Sequence, residues 1–219
     1  MSERHIPAFK ETLEVSKYDK GFGNLSEFKN DKRYVVREAH PHLFEEGQEV
    51  SSLEAAKILR DLFNELRTAY NINAPVQFVV AENDKGEPRL FNLTNNIEPA
   101  GTLDEEERQK MVHGLLNIFR SLMSYYESKY ASQENFLSDI PIPFQYVYGK
   151  KEGDTHNEWY LVDTDPFFSD TRETLFDATE NLKDSLEELE KEYKVDMSDI
   201  TERAQALMEK IEAEPQIQT

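Results

Sequence analysis

The chain has 219 residues, with 25 Lys and Arg against 44 Asp and Glu, a formal net charge of −19 and no cysteine. Such an acidic chain repels phosphate backbones and anionic lipid, which argues against a nucleic-acid partner. The missing thiols exclude a disulfide framework, a cysteine nucleophile and any cysteine-ligated metal. Apolar residues at 38% and aromatics at 11% can offset ordering entropy, so most of the chain is expected to fold. No apolar stretch approaches the roughly 20 residues of a membrane span, and no secretion signal precedes the first element. A cytoplasmic setting without membrane contact is the expectation.

In chain order, Glu14 to Ala39 reads as short strands around tight turns, with Gly21-Phe-Gly23-Asn24 as punctuation and Tyr34-Val-Val36 as β-favouring residues, giving a small antiparallel sheet. Leu53, Ala56, Leu59, Leu62, Phe63, Leu66 and Tyr70 recur at three- and four-residue spacing behind a Ser51/Glu54 capping box, which predicts a helix. Val76 to Val80 and Leu90 to Leu93 then read as a hairpin around Asn83-Asp-Lys-Gly86. Thr102 and Glu105 repeat the box ahead of a long helix with a broad apolar face from Met111 to Tyr126. Pro141 and Pro143 interrupt regular structure beyond this helix, and Gln145 to Tyr148 and Trp159 to Val162 read as strands around a polar turn.

The last 51 residues carry 15 acidic and 6 basic side chains, so nearly half of the net charge lies in under a quarter of the chain. Leu175, Leu182, Leu186, Leu189 and Tyr193, then Ile200, Ala204, Leu207 and Ile211, predict two amphipathic helices with a break near Asp196. Asp170/Glu173 and Asp199/Glu202 stand as their capping boxes. The narrow stripes suit docking on the domain or pairing with another helix.

Several residues in this frame have side chains suited to chemistry. Gly21-Phe-Gly23 would let backbone N–H groups approach a phosphate, or is an ordinary hairpin turn. Phe136-Leu-Ser-Asp139 follows the long helix, and Asp163-Thr-Asp165-Pro166 ends the last strand, where a carboxylate can meet a cation or Asp165-Pro166 can open a turn. The five histidines show no H-E-x-x-H spacing, and His40-Pro-His42 reads as a solvated turn before a metal pair.

The order of these segments resembles the protein-kinase-like fold over roughly residues 17–168. The resemblance implies an α+β, two-lobed domain. Residues 1–98 would form an N-lobe-like sheet with one helix, 99–168 a reduced C-lobe-like region, and 169–219 an acidic helical tail. It implies Gly21 and Gly23 as the phosphate loop and Arg37 in place of the strand lysine, although a planar guanidinium is not interchangeable with an ammonium. Glu54 would be its helical partner, with Glu65 as second choice, and Glu98 would lie on the connector that holds an adenine edge by backbone groups. Asp139 would position the acceptor hydroxyl as the catalytic residue, and Asp163, with Gln145 and Asp165, would hold Mg²⁺.

Departures from the pattern are equally specific. Leu137 and Ser138 replace the usual His and Arg, Phe144 falls where a metal-binding Asn belongs, with Gln145 beside it, and Thr164-Asp165 follows Asp163 instead of Phe-Gly. The resemblance therefore implies either an ATP- and Mg²⁺-dependent phosphotransferase or a pseudokinase-like regulatory protein whose acidic tail engages a protein partner. Two rivals for Asp-Thr-Asp, a metal-diphosphate motif of nucleotide-sugar transferases and the nucleophile motif of haloacid-dehalogenase-type phosphatases, fit less well. Phe167 replaces the Thr or Val of the latter, and no βαβ pattern follows.

Overall fold

The computed structural model describes residues 16–17, 34–38, 52–82, 88–141, 143–162 and 168–213. Helix α1, Ser52–Ala69, buries Ala55, Ala56, Leu59, Leu62, Phe63 and Leu66 along one stripe, and Phe63 meets Phe78 of the sheet at 5.4 Å. Burial of each such large side chain contributes about 1.5 to 3 kcal/mol. Asn71 ends the helix in the left-handed conformation, and the Ile72 N–H donates to the Leu66 carbonyl.

Strands β1 (Ser16–Lys17), β2 (Tyr34–Glu38), β3 (Val76–Glu82) and β4 (Pro88–Asn95) form one sheet in the order β1-β3-β4-β2. The expected β3–β4 hairpin forms, with Val79 opposite Phe91. The strands from the 14–39 stretch do not make a sheet of their own. β1 runs parallel to β3 at one edge and β2 antiparallel to β4 at the other. Residues 90–94 are buried consecutively, so both faces of β4 are covered. That makes the hairpin the sheet's centre and leaves its two edges for the shorter strands.

β5 (Ile97–Pro99) leads to α2 (Glu105–Ser132). The helix starts from Asp104, whose carboxylate accepts from the Glu107 N–H at 2.8 Å, rather than from the expected Thr102. A charged cap answers the positive end of the helix more strongly than a hydroxyl. Leu115, Leu116, Ile118, Phe119, Leu122, Met123 and Tyr126 are buried as the broad apolar face predicts, Met111 is half-buried, and Tyr125 is buried beside them. Beyond it come β6 (Phe136–Leu137), a 3-10 turn at Pro143–Gln145, β7 (Tyr146–Lys151), β8 (Glu158–Leu161) and β9 (Phe168–Ser169). β7 is the centre of a three-stranded sheet, β5-β7-β8, and β6 pairs with β9. Gly149 allows the closest approach, because a Cβ there would collide with the Glu98 carbonyl.

Helices α3 (Arg172–Tyr193) and α4 (Ser198–Ala213) form the C-terminal pair. Thr171 caps α3 by accepting from the Thr174 N–H, one residue after the expected Asp170, and Asp196 accepts from the Ser198 N–H at the start of α4. Their predicted stripes are buried at Leu175, Leu182, Leu186 and Leu189 and at Ile200, Ala204, Leu207 and Ile211, within the same apolar cluster as α2. Arg203 binds Glu127 of α2 at 2.6 Å. Both uses open to these stripes are observed, since the two helices pack on each other and on α2. The fold is thus mixed helix and strand, of the α+β kind. None of its described helices is long and apolar enough to cross a membrane.

Candidate functional site

Asp139 is held by a pair of tyrosines that α2 presents one after the other. The Tyr125 hydroxyl accepts from the Leu137 N–H at 2.9 Å, and the Tyr126 hydroxyl donates to the Ser138 carbonyl at 3.4 Å. Both rings are buried, Tyr125 packs edge-on against Tyr70 at 5.3 Å, and Tyr126 packs edge-on against Phe136 at 6.3 Å. The half-buried Asp139 follows directly, so a rigid helix fixes the loop that carries it. Burial and then the charge of Asp139 hold the Tyr146 phenol far above its ordinary range. Burial, neighbouring phenols and Asp139 do the same to Tyr126. The Tyr126 and Tyr146 hydroxyls therefore stay neutral in the field of the Asp139 charge.

Gln145 and Tyr146 stand where the 3-10 turn runs into β7. Gln145 is 4% exposed, and neither its side-chain oxygen Oε1 nor the Tyr146 hydroxyl has a hydrogen-bond partner among the described residues. Leaving a polar atom so placed costs about 1 to 3 kcal/mol, which a purely structural position would avoid. The Gln145 carbonyl accepts from the Val162 N–H at 2.8 Å, which fixes the chain immediately before Asp163. β6 and β9 pair with Phe136 opposite Ser169 and Leu137 opposite Phe168, tying the Asp139 loop to the segment that follows Asp165. A buried carbonyl oxygen that lacks a donor fits the oxygen-only ligand set of Mg²⁺. Asp163 and Asp165 lie outside the described residues, and among those described no three His, Asp or Glu side chains converge as a metal site.

The other expected positions are spread along the sheet, α1 and β5. Gly21 and Gly23 lie outside the described residues. Arg37 is on β2, paired in register with Asn92 on β4. Glu54 lies exposed in the first turn of α1, where a carboxylate suits the helix dipole. Glu65 pairs instead with Lys129 of α2 at 2.6 Å; the Lys129 side chain is 3% exposed and its Nζ lies 5.4 Å from the Tyr125 ring centre. This takes up the second-choice partner for Arg37. Glu98 is at the middle of β5, exposed, opposite Lys150 and 3.8 Å from its Nζ.

Sequence reasoning missed a cleft of about 800 Å³ bounded by the end of α1, one face of α2 and the β7–β8 hairpin. The chain's one tryptophan lines it. Trp159 Nε1 donates to the Met111 carbonyl at 2.7 Å, and a Cβ on Gly114 would stand 2.9 Å from Trp159 Cδ1. A glycine inside a long helix costs about 1 kcal/mol against alanine, and that was the available signal. Comparison with known proteins gives no match to a family model, to a curated protein or to a solved structure.

Proposed function

We propose that the chain is a protein-kinase-like, ATP-binding domain that performs Mg²⁺-dependent phosphoryl transfer. One observation carries this reading: the Asp139 loop, the partnerless buried oxygen of Gln145 and the strand end before Asp163 are drawn to one place. The two-lobed reading is supported by the element order, in which a sheet with one helix precedes a connector strand, a long helix and two short paired loops. Gln145, Asp163 and Asp165 would hold the cation. Bound Mg²⁺–ATP supplies a γ-phosphoryl group whose charge the cation neutralises. Asp139, near buried phenols, orients the acceptor hydroxyl and takes its proton. Arg37, Gly21 and Gly23 bind phosphate oxygens, and the backbone at Glu98 takes the adenine edge.

Thermal shift with ATP and Mg²⁺ tests the site, since a ligand that binds only the folded state raises the midpoint. The expected result is a rise that needs both components and disappears in Gln145→Leu and Asp163→Asn. Asp139→Asn should keep the shift and lose turnover. No rise at millimolar ATP sinks the proposal.

A second reading, a pseudokinase-like regulatory protein, is favoured by the engagement of Glu65 with Lys129. Kinase activity needs a cation–glutamate clamp from the helix, and this leaves Glu54 alone to supply it. On that reading ATP binds without turnover, and the exposed acids of α3 and α4 engage a protein partner equally well in Asp163→Asn.

A further inference from the structure

The Trp159 cleft shares no residue with the Asp139 site, and its chemistry differs. The chain as a whole carries −19, yet the cleft's Arg67 and Lys110 balance its Glu107 and Glu158. Each of these charges is already engaged. Glu107 accepts from the Tyr148 hydroxyl at 2.8 Å and from Asn157 at 3.3 Å, with Lys110 at 3.9 Å. Glu158 accepts from Asn73 at 3.2 Å and meets His156 at 2.8 Å. Arg67 donates to the Ala74 carbonyl and to Asn64. A charged ligand would lose hydration in a cleft whose charges balance, where both carboxylates already hold donors and the Arg67 guanidinium is turned to the Ala74 and Asn64 oxygens, which disfavours ions of either sign.

What remains available is neutral. Asn117 and Ser121 lie one helical turn apart on α2, in line with Gly114, and Asn71 projects from its left-handed position at the end of α1. None of these three side chains makes a hydrogen bond within the described chain. Opposite them Trp159 and Tyr148 lie 5.4 Å apart, with the indole edge anchored to Met111. Amide and hydroxyl groups facing an aromatic pair suit a ligand with a hydroxylated rim and an apolar ring face. An extended peptide suits the cleft less well, because the outer edge of β8 already donates its Leu161 N–H to the Asn73 carbonyl.

We infer that this cleft binds a short neutral oligosaccharide, stacked on Trp159 and hydrogen-bonded by Asn71, Asn117 and Ser121. The inference is independent of nucleotide binding. Because Trp159 is the chain's sole tryptophan, its fluorescence reports on this cleft alone. The full chain is titrated with chitotriose and with maltotriose. A saturable change for at least one, with a Kd in the millimolar range or below, is expected. The double substitution Asn117→Ala with Ser121→Ala changes two non-core positions to a good helix former, so the fold persists. Loss of two hydrogen bonds should weaken binding about tenfold or more. No saturable change with either sugar up to about 10 mM overturns the inference, as does equal affinity in the double variant. A preference for charged oligogalacturonate over both neutral probes overturns it too.

Discussion

Two places in this molecule set a carboxylate against tyrosine hydroxyls, and they resolve the pairing in opposite ways. Along the β7–β8 hairpin, the half-buried Tyr148 donates to Glu107 at 2.8 Å and the buried Tyr160 donates to Asp154 at 2.9 Å, so both hydroxyls have their partners. Around Asp139 the phenols are buried, and Tyr146 Oη and Gln145 Oε1 have no partners among the described residues. A satisfied pair stabilises the fold, and an unsatisfied buried atom costs stability that a bound water, ion or ligand can return. The hairpin is therefore framework, and the surroundings of Asp139 are where the fold carries that cost.

The comparison can be broken by substitutions that treat satisfied and unsatisfied groups alike. The largest effect should come from the buried, fully paired cation. Glu65→Leu leaves Lys129 with only Glu134, 3.5 Å away and largely exposed, and should cost roughly 2 to 3 kcal/mol in urea unfolding. Next, Tyr125→Phe removes the acceptor of the Leu137 N–H and should cost about 1 to 2 kcal/mol, whereas Tyr146→Phe removes a hydroxyl that bonds nothing and should be neutral or stabilising. Equal losses in the two variants would remove the distinction between satisfied and unsatisfied hydroxyls. Gly114→Ala sets helix propensity against the Trp159 contact, and a net loss of about 1 kcal/mol with a changed tryptophan emission is expected.

The smallest effect is alkaline. Burial, then the hydrogen bond and charge of Glu107, push the Tyr148 phenol up to about 12, so the folded chain keeps a proton that the unfolded chain releases near 10. The stability this contributes is complete below pH 10 and is lost as pH rises toward about 12. Tyr148→Phe should flatten that part of the alkaline unfolding curve and lose, at neutral pH, the stability that the hydrogen bond to Glu107 contributes. An unaltered curve would mean that the hydrogen bond to Glu107 does not persist in solution.

Helix and hairpin periodicity made much of this architecture legible. Leu59, Leu62, Phe63 and Leu66 name the buried stripe of α1 directly, and the stripes of α3 and α4 are buried at the residues that periodicity picks out, with Tyr193 half-buried at their margin. Caps were displaced by one to three residues, because a box pattern cannot say which of several neighbouring oxygens reaches the helix end. The edges of the sheet were not legible, since β1 and β2 are short strands whose partners are more than 50 residues away along the chain. At the candidate site, Asp139 and Gln145 come from the resemblance in segment order alone. The tyrosines that hold Asp139 could not be named, because in sequence Tyr125 and Tyr126 are simply two more members of an apolar face. Lys129 is harder still: its burial depends on Glu65, on another helix.

The close packing at two glycines also predicts how this sequence can diverge. Any relative that keeps β5 against β7 must keep glycine at position 149, whatever happens to the charged residues around it. Position 114 is under a looser, conditional constraint: it can enlarge only when the residue at 159 shrinks. An invariant glycine, together with a small-to-large exchange mirrored between the long helix and the second hairpin strand, would mark descent from this fold even where the carboxylates of the Asp139 site have been replaced.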